Sequence, residues 1–176
     1  MKLHLCCGKR DFGPDWIHID MGDFPHVKYH DITKLPFEDN SADLIYCCHG
    51  IGYFDREEII PVLQEWKRVL KPGGVLRIAT PDFDRIIQLS VSDSMKFISM
   101  IFGRWQVNGG FIYYKTGYNF TSLWEVLWKC EFKNIFKYNW RETEHAQFDD
   151  FSQAYIPHMD KENGTLISLN IQCTKL

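Results

Sequence analysis

Leu3-His4-Leu5-Cys6-Cys7-Gly8, followed after seven residues by Trp16-Ile17-His18-Ile19-Asp20, is the stretch that decides how this chain folds. The first segment is a short apolar run that ends in a glycine turn. The second alternates apolar and polar side chains after its first pair, as a half-buried strand does. A crossover between parallel strands normally takes a dozen or more residues and includes a helix. Lys9 to Asp15 are too few for that. Seven extended residues still span roughly 23–25 Å, enough to run back along a strand of about 17 Å. The spacing predicts two parallel strands joined by a loop, with the first helix reduced to one turn or missing.

Working outward, Val27-Lys28-Tyr29-His30, the run Ala42 to Cys47 and the run Val75 to Ala79 are three further strand candidates. A helix lies between the last two. Asp55 with Glu58 forms a capping signal, and Ile59, Leu63, Trp66 and Leu70 then recur on one helical stripe. Pro61 sets the regular part to begin near it, after a separate turn. Lys71-Pro72-Gly73-Gly74 reads as its end, with a left-handed glycine cap. Strands that feed helices that feed strands imply a parallel sheet in an α/β fold. Beyond Pro81-Asp82-Phe83, a helix is expected from Asp84 to about Ser92. An aromatic-rich stretch at 97–118 surrounds Gly109-Gly110, and a helix capped by Thr121 or Ser122 carries Leu123, Val126 and Leu127 on one side. Asn134 to Trp140 and Leu166 to Cys173 read as closing strands.

With 176 residues and no linker or repeat, the chain is expected to form one domain. A net charge of -3 gives no electrostatic reason to bind nucleic acid. The densest basic stretch, Lys67-Arg68 with Lys71 and Arg77, reads as a solvated face. No run approaches the roughly 18 apolar residues that span a bilayer, and no targeting segment is recognised. The expected location is cytoplasmic, with the six cysteines as reduced thiols. The neighbours Cys6-Cys7 and Cys47-Cys48 cannot bridge each other without severe strain. If the first and fourth strands are adjacent, the four thiols converge at one sheet edge, where a thiolate metal site is conceivable. Lacking C-x-x-C spacing, they read instead as small buried residues, and no metal is expected.

In an open parallel sheet, ligands bind beyond the carboxyl ends of the strands. Cys7-Gly8, Asp20, Asp31 and Cys48-His49 fall at four such ends. A glycine after the first strand allows close backbone approach to a ligand. An acid after the second can accept from ribose hydroxyls, and one after the third from an adenine amino group.

This set resembles the class I S-adenosylmethionine-dependent methyltransferases, specifically the type 11 domain group. Their L-x-L-G-C-G motif stands here as Leu3 to Gly8, and their G-W-I-N-I-D segment as Asp15 to Asp20. Their L-P-F-x-D-x-S-x-D signature is met in full by Leu35-Pro36-Phe37-Glu38-Asp39-Asn40-Ser41-Ala42-Asp43. Arg68 to Leu76, Thr80-Pro81-Asp82, Asp150-Phe151-Ser152 and Ser168-Leu169-Asn170 also match the group, so the resemblance covers nearly the whole chain. It implies a Rossmann-like fold, mostly parallel with an antiparallel C-terminal strand. Residues 1–92 would be the cofactor-binding half, and 93–176 would supply the acceptor side and closing strands. S-adenosylmethionine is the implied cofactor. Cys6, Cys7 and Gly8 would border its methionine end, Asp20 would hold the ribose, and Met21 would pack on the adenine. Asp31 and Ile32 would read the adenine edge, and backbone around Cys48 and His49 would meet the methionine amino group.

Three departures stand out. Cys6 replaces the first glycine. His49-Gly50-Ile51-Gly52-Tyr53 replaces H-x-L-E-H, so the acid and second histidine are gone. The short crossover reduces helix-dipole help at the cofactor carboxylate. Methyl transfer is an in-line displacement that mainly needs alignment, with a base only where the acceptor must lose a proton. His49 and Asp82 are the best-placed candidates, with His145 and His158 able to enter from the C-terminal segment. The 97–118 stretch is the expected acceptor-site lid, and the expected acceptor is a small molecule or glycan. The thinly covered sheet face near the missing helix would favour a homodimer. Two rival readings are a non-catalytic cofactor-binding or partner protein and a nicotinamide-dependent oxidoreductase. The second is disfavoured because G-x-G-x-x-G is absent.

Overall fold

A computed structural model describes residues 1–90, 94–107 and 109–176. The first strands are β1 (Lys2–Leu5), β2 (Trp16–Ile19), β3 (Val27–Tyr29) and β4 (Ala42–Cys48). Helix α1 (Ile59–Val69) leads into β5 (Leu70–Pro81), followed by α2 (Phe83–Ser90) and α3 (Ser94–Phe102). A hairpin of β6 (Trp105–Val107) and β7 (Gly110–Ile112) precedes α4 (Phe120–Lys129) and β8 (Lys133–Lys137). A small pair, β9 (Tyr155–Ile156) and β10 (Thr165–Leu166), comes before β11 (Ser168–Thr174). The end of the expected helix at Ser92 lies outside the described residues.

The seven-stranded sheet runs β3-β2-β1-β4-β5-β11-β8. Strands β1 to β5 are mutually parallel, and β11 lies antiparallel to both β5 and β8. No helix joins β1 to β2: residues 6–15 make a turn and a loop. Alternation along the strands gives the sheet two distinct faces. Leu3, Leu5, Ile45, Cys47, Leu76, Ile78, Leu169 and Ile171 point to one, where Leu63 and Trp66 of α1 and Leu127 of α4 pack on them. His4, Leu44, Tyr46, Cys48 and Ala79 belong to the other, which the 9–15 loop and residues 139–154 cover. Phe12 stacks on His4 at 4.0 Å and on Phe148 at 4.6 Å between ring centroids. The premise for a homodimer, a bare face beside the absent helix, therefore does not hold.

Local chemistry explains where the elements begin and end. The Asp55 carboxylate accepts from the amides of Glu57 and Glu58 while Glu58 accepts from the Asp55 amide, a closed capping box. Pro61 sits third in α1, within the first turn, where amides lack intrahelical partners. Helix α1 does not end in a glycine cap. Leu70 is already extended (φ -64°, ψ 139°), and the chain passes straight into β5. Gly73, with φ +78°, lies instead in the irregularity between the Ala42–Leu70 and Leu44–Val75 pairs. A left-handed bulge residue is tolerated there because glycine has no Cβ. Helix α4 is capped by Asn119, two residues before Thr121 and three before Ser122, with Ser122 bonding back to complete a box. The last expected strand is split, because β10 pairs with β9 before β11 joins the sheet.

The Leu35–Asp43 signature turns out to be a structural lock. Arg68 donates to the carbonyls of Leu35 and Phe37 and pairs with Asp39 at 2.6 Å, while Asp43 pairs with Lys71 and the amino group of Met1. The basic stretch is ion-paired throughout: Lys67 meets Glu131 and Arg77 meets Glu144. Among the described residues no helix is long and apolar enough to cross a membrane.

Candidate functional site

A cavity of about 340 Å³ opens at the carboxyl ends of β1, β2 and β4 and is roofed by the β6–β7 hairpin. Asp20, directly after β2, is buried (6% exposed) and faces it. Its Oδ2 accepts from the Gly8 amide at 2.9 Å and its Oδ1 from the Gly22 amide at 2.7 Å. These bonds fix the carboxylate between the first turn and the chain leaving β2. Met21 stands 53% exposed on the rim. Ile32 is buried, and Asp31 is exposed with its Oδ1 accepting the amide and hydroxyl of Thr33. The Thr33 hydroxyl holds the Asp31 carboxyl below its ordinary range.

Cys6 has φ +53°, the left-handed conformation the replaced glycine would adopt. The departure at this position changes the side chain and leaves the path of the turn intact. Its free thiol lies beside that of Cys47, and this neighbour together with burial raises the Cys6 pKa well above the ordinary thiol value. The four thiols do not converge. Cys7 turns away from the cavity to His26, 3.8 Å from its Nε2, and burial raises its pKa as well. Cys48 belongs to the other face of the sheet from Cys47 but reaches the cavity wall. Among the described residues no group of three or more His, Cys, Asp or Glu side chains is placed to hold a metal ion.

His49 lines the cavity with its ring stacked on Phe151, 5.1 Å between centroids. Its Nε2 is sealed from solvent without a hydrogen-bond partner among the described residues. Burial, helped by the charge of Arg10, pushes its pKa down to about 3. Asp82 does not line the cavity. It precedes α2, its carbonyl accepts the Ile86 amide, and its carboxylate takes the Arg85 amide at 3.4 Å, so it caps that helix. His145 is buried in the loop-covered face, and His158 is exposed away from the cavity.

The structure adds cavity residues that local sequence patterns did not single out: Arg10, Tyr53, Phe54 and Phe151, with Trp105 and Tyr114 from the aromatic stretch. Trp105 packs over Gly8. Tyr114 explains the altered segment after β4. A Cβ at Gly52 would sit 2.8 Å from the Tyr114 ring, so the position where related motifs carry an acid has been emptied to admit a tyrosine. Tyr114 packs against Tyr53 with its ring tilted by 50° at 4.7 Å between centroids, and burial raises both phenols, Tyr53 to about 12. Of the expected lid, Trp105, Val107, Ile112 and Tyr114 reach the cavity, whereas Phe97 and Tyr118 are buried outside it. The adjacent cations Lys9 and Arg10 in the short crossover are the signal in the sequence for Arg10.

Residues 16–78 match the model of a family described as a methyltransferase domain. Among solved structures, the chain is similar to an S-adenosylmethionine-dependent methyltransferase from Methanosarcina mazei, at 16% identity, a TM-score of 0.60, and coverage of 99% of this chain and 92% of the other. It is similar also to one from Archaeoglobus fulgidus, at 13% identity, a TM-score of 0.62, and coverage of 99% and 85%. At these identities the likeness establishes the fold. A demethylmenaquinone methyltransferase of Staphylococcus haemolyticus is 34% identical over 85 residues, which are 45% of this chain and 33% of that protein. The corresponding protein of Chlorobaculum parvum is 31% identical over 77 residues, 43% of this chain and 31% of its own. The chain thus spans about a third of the length of the curated relatives it matches.

Proposed function

We propose that this chain, which has the class I methyltransferase fold and matches the methyltransferase family over residues 16–78, binds S-adenosylmethionine in the β1–β2–β4 cavity and methylates a small-molecule acceptor. Asp20 carries this reading. An ionised carboxylate offers about four acceptor sites, and Gly8 and Gly22 use two, so the rest suit the two hydroxyls of a ribose. Met21 gives an adenine ring an apolar flank beside it. With both Thr33 donors on Oδ1, Asp31 has its Oδ2 for an exocyclic amino group. The cavity also falls in the size range, roughly 300–1,000 Å³, of pockets that enclose such ligands.

When bound, S-adenosylmethionine supplies an electrophilic methyl group on a sulfonium. The chain's own work is to hold, align and exclude water. Trp105, Tyr53 and Tyr114 wall the end of the cavity next to Cys6 and His49 and present aromatic faces, which attract a cation. With a pKa near 3, His49 is neutral at physiological pH and a weak base, so we assign it a place in the cavity wall and no general-base role. That favours an acceptor whose nucleophile needs no strong base. The aromatic wall suits an apolar ring, the class to which the demethylmenaquinone of the relatives belongs. A glycan would leave hydroxyls unpaired against it. Residues 1–92 would then serve the cofactor, with the hairpin and Phe151 of 93–176 serving the acceptor.

Titration calorimetry with S-adenosylhomocysteine tests the reading. Binding is expected, NADH should not bind, and Asp20→Ala should weaken affinity at least about tenfold, the worth of one good hydrogen bond. Absence of S-adenosylhomocysteine binding overturns the reading, and unchanged affinity in Asp20→Ala removes the ribose contact. Binding without turnover on panels of ring compounds and glycans would favour the non-catalytic alternative.

A further inference from the structure

We propose that Arg10 is the receptor for the α-carboxylate of the bound cofactor and takes over the role of the absent first helix; this rests on the cofactor reading above. A helix that follows the first turn would offer an anion its free N-terminal amides and the positive end of its dipole. Here β1 and β2 are joined by a loop, and that source is gone. Three backbone amides around the turn are already engaged. Cys6 donates to the Ile19 carbonyl at 2.8 Å, Gly8 to Asp20 at 2.9 Å and Arg10 to Cys7 at 3.1 Å. Across the cavity, the His49 amide donates to Ala79 at 2.7 Å.

Among the described residues that line the cavity, Arg10 carries the only permanent positive charge. It is held as a receptor rather than left as a mobile surface cation. Its Nε donates to the Asp149 carbonyl at 2.8 Å, and its guanidinium lies over the Phe151 ring at 4.6 Å. Both contacts leave the terminal nitrogens unpartnered among the described residues, and no carboxylate there forms an ion pair with them. A half-buried guanidinium without a counter-charge is unfavourable until an anion arrives, and its planar fork matches a carboxylate bidentately. Its place fits as well. Arg10 follows the β1 turn, and its guanidinium shares the Phe151 ring with His49 after β4, so it lies at the end of the cavity where the ribose reading puts the amino-acid moiety.

The test compares two ligands that share the adenosine and thioether but differ in the amino-acid tail. Arg10→Ala should lose about 10- to 100-fold in S-adenosylhomocysteine affinity. Its affinity for 5′-methylthioadenosine, which has no carboxylate, should stay unchanged and thereby show that the site is still folded. Arg10→Lys should recover part of the loss, because it keeps the charge without the fork. Equal losses for both ligands would make Arg10 a structural residue and overturn the proposal, as would wild-type affinity for S-adenosylhomocysteine in Arg10→Ala. If the wild-type chain binds neither ligand, the underlying cofactor reading fails instead.

Discussion

The two faces of the central sheet are covered in different ways. On one, α1 and α4 lay Leu63, Trp66 and Leu127 against Leu3, Leu5 and Ile45, and the single buried polar group of Trp66 donates to the Ile32 carbonyl at 2.8 Å. On the other, a loop and an irregular C-terminal segment lie over His4, His18 and Tyr46. A helix satisfies its own backbone, so it needs only apolar side chains to seal a sheet. A loop does not, and the groups beneath and within it must supply the bonds. The Phe12 amide donates to His18 Nε2, the Gln153 amide group to the carbonyls of Ala146 and Phe148, and Asn170 to the Ser152 carbonyl. Replacing a helix by a loop has thus exchanged an aliphatic interface for one rich in histidine and tyrosine.

The sharpest way to probe this contrast is to cut into the helical face. Trp66→Ala should cost about 3–5 kcal/mol, the usual toll of a large core truncation, read from urea denaturation. On the opposite face, Asp150→Ala strands the buried Tyr46 hydroxyl, which donates to it at 2.6 Å, and removes the cap that accepts the Ser152 amide. A loss of about 2–3 kcal/mol is expected, with weaker cofactor binding because Phe151 adjoins that cap; a loss below about 0.5 kcal/mol would mean the cover is not tied through Asp150. The faces should also differ in pH response. Burial depresses His4 well below its ordinary value and His145 to about 4. Between about pH 6.5 and 4 the unfolded chain therefore takes up protons that the folded chain refuses. Stability should be full above that window and fall through it as pH drops, by about 1.4 kcal/mol per pH unit for each such histidine. His145→Phe should flatten the slope by one proton's worth; an unchanged slope would show that His145 charges freely in the fold. Smallest of all, Lys67→Ala, which removes an exposed ion pair with Glu131, should move stability by less than about 0.5 kcal/mol.

Legibility in the sequence follows the same division. Wherever a strand or helix is regular, its period announces it: β1 to β5 and α1 fall within a few residues of expectation, and the seven-residue gap forecasts the absent helix. Of the expected site, Cys6, Gly8, Asp20, Met21, Asp31, Ile32, Cys48 and His49 line the cavity, since a strand end fixes where its next residue lies. The Cys7 side chain is the exception in that turn, because one residue's step along it reverses which way a side chain points. Asp82 stands outside the cavity lining because an acid after a strand is equally an acid before a helix. Arg10 and Tyr114 come from loops and Phe151 from a single 3-10 turn, where no period links neighbours in sequence to neighbours in space. The Lys71–Gly74 turn has the composition of a helix stop, yet β-pairing with the C-terminal strand claims it.

The Asp150 cap has a kinetic consequence. Tyr46, in the middle of the sheet, holds Asp150, Asp150 holds Ser152, and Phe151 between them forms the wall on which Arg10 and His49 rest. The cover of one sheet face and the wall of the cavity are therefore a single piece of chain that opens and closes as a unit. A molecule gripping that wall slows the opening, and the amides of residues 144–154 should exchange with deuterium more slowly in its presence, including those that never touch it.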